Sequence, residues 1–128
     1  MKHNKLLELA QSMRKNARAP YSNYTVGASV QTETGEIIGG CNVESSSYGL
    51  TCCAERSALY NAVSLGFNNF TALAVASKNG AFPCGACRQV IWELCGDIPI
   101  IIIDEKSKLI DTTSQTLLPN AFDDKKLK

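Results

Sequence analysis

Two short cysteine-bearing segments constrain this chain most, because their side chains form one chemical site only if the fold brings them together. They are Cys-Ala-Glu-Arg at residues 53–56 and Pro-Cys-Gly-Ala-Cys-Arg at residues 83–88. Three thiolates close only part of a tetrahedron around zinc, and a catalytic zinc keeps its fourth position for water. The nearby carboxylate of Glu55 has no need to ligate and can move protons instead. The pattern predicts a catalytic zinc centre held by the three thiols of these segments, Cys53, Cys84 and Cys87.

The composition predicts a single domain over residues 1–128 with neither a polyanionic nor a membrane partner. A net charge of +1 gives no bulk attraction to nucleic acid. The longest apolar run, Ile98–Ile103, is far shorter than the roughly 20 residues of a membrane helix. The first residues lack the pattern of a signal peptide, so we expect a cytoplasmic protein. In a reducing cytosol, the six cysteines are expected to be ligands or core thiols rather than disulfides.

Hydrophobic periodicity predicts helices and strands in alternation along most of the chain. The predicted helices cover residues 4–18, which Asn4 could cap, and residues 53–65, 84–95 and 114–118. The predicted strands cover residues 24–31, 36–43, 70–77, 98–103 and 108–111.

Two details of this pattern bear on packing. Glycines at positions 27, 39 and 40 are unusual within strands and indicate a bulge or a close approach by another element. In the second helix, the inner side is expected to carry Ala54, Ala58, Ala62 and Leu65.

This order of elements predicts a three-layer α/β/α fold, a mixed five-stranded sheet with helices on both faces. Strand–helix–strand units imply parallel crossovers, whereas the first two strands form an antiparallel hairpin. Each crossover helix starts beyond the carboxyl end of the preceding strand. The helix starts at Cys53 and Cys84 should therefore meet at one edge of the sheet, which is where open α/β sheets bind ligands.

The charge of a three-thiolate site predicts a role for two arginines. Three thiolates on Zn²⁺ leave a net charge of −1, which opposes ionisation of a bound water. Arg56 lies three residues after Cys53, and Arg88 directly follows Cys87. We expect one or both arginines to donate hydrogen bonds to ligand sulfurs, as groups around metal ligands often do.

Other interpretations of the cysteines remain open at this point. Cys-x-x-Cys alone also suits a structural zinc or a redox pair. In the structural case, Cys52, Cys41 or Cys95 would supply a fourth ligand, and the protein would be a zinc-stabilised binding module without catalysis. The upstream Cys-x-Glu and the proline before the second segment favour the catalytic interpretation.

The two segments together resemble the signature of the zinc-dependent nucleoside deaminases. Cysteine at the first ligand position is similar to the small cytidine deaminases, which act on free nucleosides. The resemblance continues in order through residues 21–28, 40–44 and 117–122 and so covers nearly the whole chain. It implies a cytidine deaminase-like fold, one zinc ion per subunit and a homotetramer. The implied activity is hydrolytic deamination of cytidine and deoxycytidine to uridine and deoxyuridine, a reaction of pyrimidine salvage.

The resemblance also assigns roles to residues of this chain. Glu55 would carry a proton from water to N3 of the base and to the departing ammonia. The Ala54 N–H would hold the base, and Tyr24 stands where the family usually has a phenylalanine stacked near it. Asn42 and Glu44 would bind the ribose hydroxyls, although a loop-capping role is the alternative for this pair. Neighbouring subunits would contribute three further residues, Tyr48, Phe122 and Ser46, the last often alanine in the family.

Two rival substrates follow from the same chemistry. A deaminase for a nucleoside antibiotic would share the zinc signature but would be expected to lack the pair Asn42 and Glu44. A deaminase for RNA would need a basic surface, which the composition does not provide.

Overall fold

The computed structural model describes residues 3–127 and contains one five-stranded sheet in the order β2-β1-β3-β4-β5. The pair β3 and β4 is parallel, and the three other neighbouring pairs are antiparallel. This confirms the predicted mixed sheet. The strands are β1 (Gly27–Thr32), β2 (Ile37–Cys41), β3 (Phe70–Ala76), β4 (Pro99–Ile103) and β5 (Leu109–Thr113).

Helices cover both faces of the sheet, as predicted. One helix lies on the first face and three lie on the second. None of the helices within residues 3–127 is long and apolar enough to span a bilayer. The helices are α1 (Asn4–Met13), α2 (Ala54–Ser64), α3 (Gly85–Cys95) and the short α4 (Ser114–Leu117).

The alternation of side chains along the two central strands divides the core into two layers. Leu73 and Val75 of β3 face α2 and α3, together with Ile100 and Ile102 of β4. The alanines at positions 72, 74 and 76 face the other way and pack against α1. Small side chains on that face allow α1 to lie close to the sheet, where it buries Leu6, Leu7 and Ala10.

All three strand glycines mark close approaches between helix and sheet, as the sequence predicted, and two of them, Gly27 and Gly40, lie against helix backbone. A Cβ atom on Gly27 would lie 2.0 Å from the carbonyl oxygen of Ala10 in α1. A Cβ atom on Gly40 would lie 2.2 Å from the backbone nitrogen of Ala58 in α2. The helices thus rest directly on strand backbone from opposite faces, and this fixes the position of α2 and of the site at its start.

Three local predictions differ from the structure. Helix α1 ends at Met13 and tightens into a 3₁₀ turn over Arg14–Asn16, well before residue 18. Its N-cap is His3, with φ 70° and no side-chain cap, so the prediction of Asn4 as cap is wrong. Leu65 is the C-cap residue of α2 and is 61% exposed, so the prediction that it lies on the inner side of the helix is wrong.

Candidate active site

The start of α2 and the start of α3 meet at one edge of the sheet, as the topology predicted. Cys53 is the N-cap of α2 and Cys84 is the N-cap of α3, and their Sγ atoms lie 3.7 Å apart. The Sγ of Cys87 joins them one turn into α3, and the three sulfurs all lie within 4.8 Å of one another. Three thiols this close and held by two rigid helices fit the donor set and the spacing that zinc requires.

Hydrogen bonding makes the three thiols unequal. The Cys87 thiol donates to Cys53, and Arg56 also donates to that sulfur, which together lower the pKa of Cys53 to about 5. The same bond and burial raise the pKa of Cys87. Cys84 accepts a hydrogen bond from the backbone N–H of Cys87 at 3.5 Å. The site therefore stabilises thiolate at Cys53, the sulfur that α2 presents from its N-terminus.

The remaining cysteines stand apart from this cluster. Cys52 donates to the carbonyl oxygen of Cys53 at 3.7 Å and accepts a hydrogen bond from Ser57 at 3.6 Å. Burial raises the pKa of Cys41, and raises that of Cys95 to about 12. Among residues 3–127, the group of side chains able to hold a metal contains only the three predicted thiols. A four-thiolate structural site finds no support here.

Glu55 lies in the first turn of α2, beside the thiols and almost out of contact with solvent. Its exposed fraction is 4%. Burial raises the pKa of its carboxyl group to about 7, and the negative charge of Cys53 adds to this effect. A carboxyl group with this pKa can both accept and return a proton near neutral pH, as general acid–base catalysis requires.

The two arginines have different partners. Arg56 donates from Nη2 to the Sγ of Cys53 at 3.4 Å, the kind of bond expected around a thiolate-rich metal site. Arg88 instead donates to two backbone carbonyls, that of Pro83 at 2.7 Å and that of Leu117 at 3.0 Å. Its hydrogen bonds therefore hold the loop that carries Cys84, and the expected bond to a ligand sulfur is found only for Arg56.

A cavity of about 210 Å³ opens above the thiols and Glu55. Its lining comes from the chain leading into β1, the residue after β2, the start of α2, the end of β3 and the loop between β3 and α3. Ala54 is the first residue of α2, so its N–H is one of the donors that a helix leaves without an intrahelical partner. The other lining residues are Tyr24, Val26, Asn42, Thr51, Cys53, Glu55, Val75, Ala81, Phe82 and Cys84.

Asn42 and Glu44 both brace the segment before β1. Asn42 is buried, accepts from the N–H of Val26 at 2.9 Å and donates to the carbonyl of Tyr24 at 2.8 Å. Glu44 accepts from the backbone N–H groups of Tyr21 and Ser22 and from the Ser22 hydroxyl. Asn42 lines the cavity above the thiols. Glu44 lines a second cavity of about 420 Å³, and Thr51 borders both.

The residues expected to come from neighbouring subunits are exposed in the single chain and do not line the cavity above the thiols. Tyr48 is 77% exposed, stacks edge-on against Tyr21 and lines the second cavity beside Glu44. Phe122 is 57% exposed, and its carbonyl accepts a hydrogen bond from Gln89. Ser46 is exposed as well.

Sequence reasoning missed three polar or aromatic residues of the site. Thr51 and Phe82 line the cavity, and Asn79 accepts a hydrogen bond from the Tyr24 hydroxyl. The available signal was position: Thr51 lies just before the first cysteine segment, and the other two lie just before the second. The hydroxyl of Tyr24, a departure from the resembled family, also indicated that a partner should exist nearby.

Comparison with known proteins agrees with this geometry. The family model for the cytidine and deoxycytidylate deaminase zinc-binding region matches residues 1–103. A cytidine deaminase from Sporosarcina psychrophila is 46% identical over 121 residues, covering 92% of this chain and 89% of the relative. A blasticidin-S deaminase from Bacillus cereus is less similar, at 34% identity over 125 residues, covering 88% of this chain and 89% of that protein.

The fold matches solved structures of the same kind. The crystal structure of cytidine deaminase from Burkholderia pseudomallei has a TM-score of 0.91 and 43% sequence identity. The match covers 95% of this chain and 100% of that one. With the matched family model and the thiol cluster, this confirms the family and the zinc cofactor predicted from the sequence: the chain belongs to the cytidine and deoxycytidylate deaminase zinc-binding family.

Proposed function

We propose that this protein is a zinc-dependent enzyme that deaminates free cytidine and deoxycytidine hydrolytically. The observation that carries the proposal is a cluster of three thiols in which Cys53 and Cys84 line one cavity together with a buried carboxyl group, Glu55. The similarity to cytidine deaminases over nearly the whole chain supports the same activity. The lower similarity to a blasticidin-S deaminase and the presence of Asn42 and Glu44 favour cytidine over an antibiotic.

The thiols Cys53, Cys84 and Cys87 would hold the zinc ion. When bound, zinc supplies Lewis acidity that makes water a nucleophile near neutral pH. Glu55 accepts the proton of the water that adds to C4 of the pyrimidine. It then delivers that proton to N3. It next accepts the remaining proton of the hydroxyl on C4 and passes it to the amino group, which leaves as ammonia as the C4–N bond breaks and the C4 carbonyl forms. Burial of Glu55 serves this step, because a carboxyl group with a pKa of about 7 gives up the proton as readily as it accepts it.

The rest of the cavity would orient the nucleoside. The Ala54 N–H is directed to the base, and the ring of Tyr24 stacks near it. Asn42 and Glu44 take the ribose hydroxyls through the lone pairs that their loop-bracing hydrogen bonds leave available. Thr51 lines both cavities, so the sugar of a nucleoside bound above the thiols can extend toward Glu44 in the second cavity. The lining residues of the cavity above the thiols include no lysine or arginine, which favours a nucleoside over a nucleotide.

The test is an ultraviolet assay of cytidine and deoxycytidine with the wild type and Glu55→Gln, with zinc counted in both. We expect the wild type to convert both nucleosides. Glu55→Gln should retain zinc and lose about 10²- to 10⁴-fold in kcat, the usual contribution of a positioned acid–base group. Glu93→Gln, which neutralises an exposed carboxylate of α3, is the matched control and should behave like the wild type.

Substrate comparison in the same assay tests the nucleoside assignment. Free cytosine should be a poor substrate, because the groups that bind ribose would be left unpaired. CMP should also be turned over poorly. Strong turnover of CMP, or a wild type that binds zinc and converts neither nucleoside, would contradict the proposal and favour another substrate or a structural zinc.

We also propose that the active form is a homotetramer in the cytoplasm and that it acts in pyrimidine salvage. Tyr48 and Phe122 are large apolar side chains that the single chain leaves mostly exposed. Ser46, two residues before Tyr48, is exposed as well. A second copy of the chain would cover them and place them beside its own site. All six cysteines are free thiols, which suits a reducing compartment.

A further inference from the structure

The strands β1 and β3 separate at the active-site edge of the sheet, and the cavity lies where they diverge. Their pairing ends at Gly27 opposite Ala76. Beyond that pair, the segment before β1 contributes Tyr24 and Val26 to the lining. The segment after β3 contributes Ala81 and Phe82. The distance between these two backbone segments therefore sets the width of the cavity.

One side-chain hydrogen bond joins the diverging segments. Tyr24 and Asn79 each lie three residues beyond the last backbone pair, and the Tyr24 hydroxyl donates to Oδ1 of Asn79 at 2.5 Å. Within the described residues 3–127, it is the only hydrogen bond between residues 22–26 and residues 78–82. It links the two segments at a point where β1 and β3 no longer form backbone hydrogen bonds.

Hydrogen bonds near both ends of the loop after β3 hold it to its own side of the cavity. At the first end, Ser77 is buried and accepts from the N–H of Ala81 at 2.9 Å. At the other end, Pro83 is buried and its carbonyl binds Arg88. Between these anchors, Phe82 remains 43% exposed while it lines the cavity. The bond from Tyr24 is the contact that draws this stretch toward the opposite wall.

We propose that Tyr24 and Asn79 form a clamp that sets the width of the nucleoside cavity and positions Phe82 and Ala81 against the base. This inference rests on the proposed deaminase function. Tyr24 thus has two separable parts: its ring lines the cavity, and its hydroxyl acts on substrate through Asn79 and the loop. Asn79 is a positioning residue with no contact to the reacting atoms.

The clamp acts on binding rather than on chemistry. The wall that it positions contributes neither the zinc ligand set nor the proton carrier Glu55. Loss of the bond should weaken the ground state and the transition state alike, which raises KM and leaves kcat nearly unchanged. One hydrogen bond in this setting corresponds to a change of roughly two- to tenfold in KM.

The experiment is a double-mutant cycle on cytidine turnover with Tyr24→Phe, Asn79→Ala and the combined variant, with zinc content and thermal midpoint measured for each. Tyr24→Phe keeps the ring and removes only the hydroxyl. We expect each single variant to raise KM by roughly two- to tenfold and the combined variant to raise it no further, because both changes remove one bond. Zinc content should match the wild type throughout.

Conservative and remote variants complete the design. Asn79→Asp keeps an acceptor for the hydroxyl, so this single variant should have a KM near the wild-type value. Combined with Tyr24→Phe, which lacks the hydroxyl, it should show the raised KM of Tyr24→Phe alone. Asn68→Ala removes an exposed amide at the opposite end of β3, and Tyr60→Phe removes an exposed hydroxyl from α2. Both should leave KM unchanged.

The outcomes separate this inference from the proposed function. A wild type without cytidine turnover contradicts the function itself. If the wild type is active, unchanged KM values in both single variants overturn the clamp. Effects that add in the combined variant, or a fall in kcat at constant KM, overturn it equally.

Discussion

Arg56 and Arg88 show at the scale of single residues how identical side chains beside the same metal site acquire different tasks. Arg56 donates to the sulfur of Cys53, whereas Arg88 donates to the carbonyls of Pro83 and Leu117. Their sequence positions did not distinguish them, because both follow a zinc ligand closely. The difference arises from what the fold places opposite Arg88, including a carbonyl from near the end of the chain.

Replacing each arginine by glutamine should separate these tasks. Arg56→Gln removes a charge-assisted bond to a thiolate and should lower kcat by about 10- to 100-fold while zinc is retained. Arg88→Gln should lower the thermal midpoint more than Arg56→Gln and reduce kcat by less than about threefold, since it releases two carbonyls of the scaffold. The measurements are kcat per bound zinc and thermal unfolding. A larger loss of kcat in Arg88→Gln would reverse the assignment.

At the scale of elements, the long helices were predictable from their hydrophobic periods, and β4 was predictable as a short apolar run. The residues at which the elements end were harder to predict. The periodic pattern of α1 continues to Ala17, yet the helix ends at Met13. Gly27 passes beneath its last turn, and the Arg14 side chain donates to the carbonyl of Thr25 at 3.1 Å. This contact between distant segments competes with continuation of the helix, and a local pattern carries no information about it.

The neighbouring glycines of β2 offer a matched test of the helix–sheet contact. A Cβ atom at Gly40 would meet the backbone of Ala58, whereas one at Gly39 would meet the flexible side chain of Met13 at 2.8 Å. Gly40→Ala should therefore lower the free energy of unfolding by about 2 kcal/mol or more, because backbone cannot move aside as a side chain can. Gly39→Ala should cost less than about 1 kcal/mol. Denaturant unfolding measures both, and equal losses would show that α2 can shift away from the sheet.

At the scale of the whole molecule, the single chain leaves several large apolar side chains uncovered. Tyr48, Leu50 and Phe122 are all more than half exposed. Sequence physics alone predicts a packing residue at Phe122. Its proposed place in a neighbouring site came from family resemblance. The zinc ligands, in contrast, followed from spacing and topology, because both are local to two helix starts.

Mixing two inactive variants tests whether sites are shared between subunits. Phe122→Ala chains retain Glu55, and Glu55→Gln chains retain Phe122. If Phe122 reaches into a neighbour's site, co-refolded mixtures should regain activity in roughly a quarter of their sites, the share expected for random pairing in a symmetric assembly. Light scattering after gel filtration should give four times the chain mass of 13.8 kDa. A mixture that remains as inactive as its components would contradict the sharing of sites.

The two helix caps that carry the thiols also tie metal capture to the acquisition of tertiary structure. Cys53 caps one crossover helix and Cys84 caps the next, so the ligand set exists only after both crossovers have docked on the sheet. An unfolded chain presents these thiols about 30 residues apart and holds zinc weakly. The ion therefore cross-links the two successive strand–helix–strand crossovers. Its binding free energy is added to the stability of the native state.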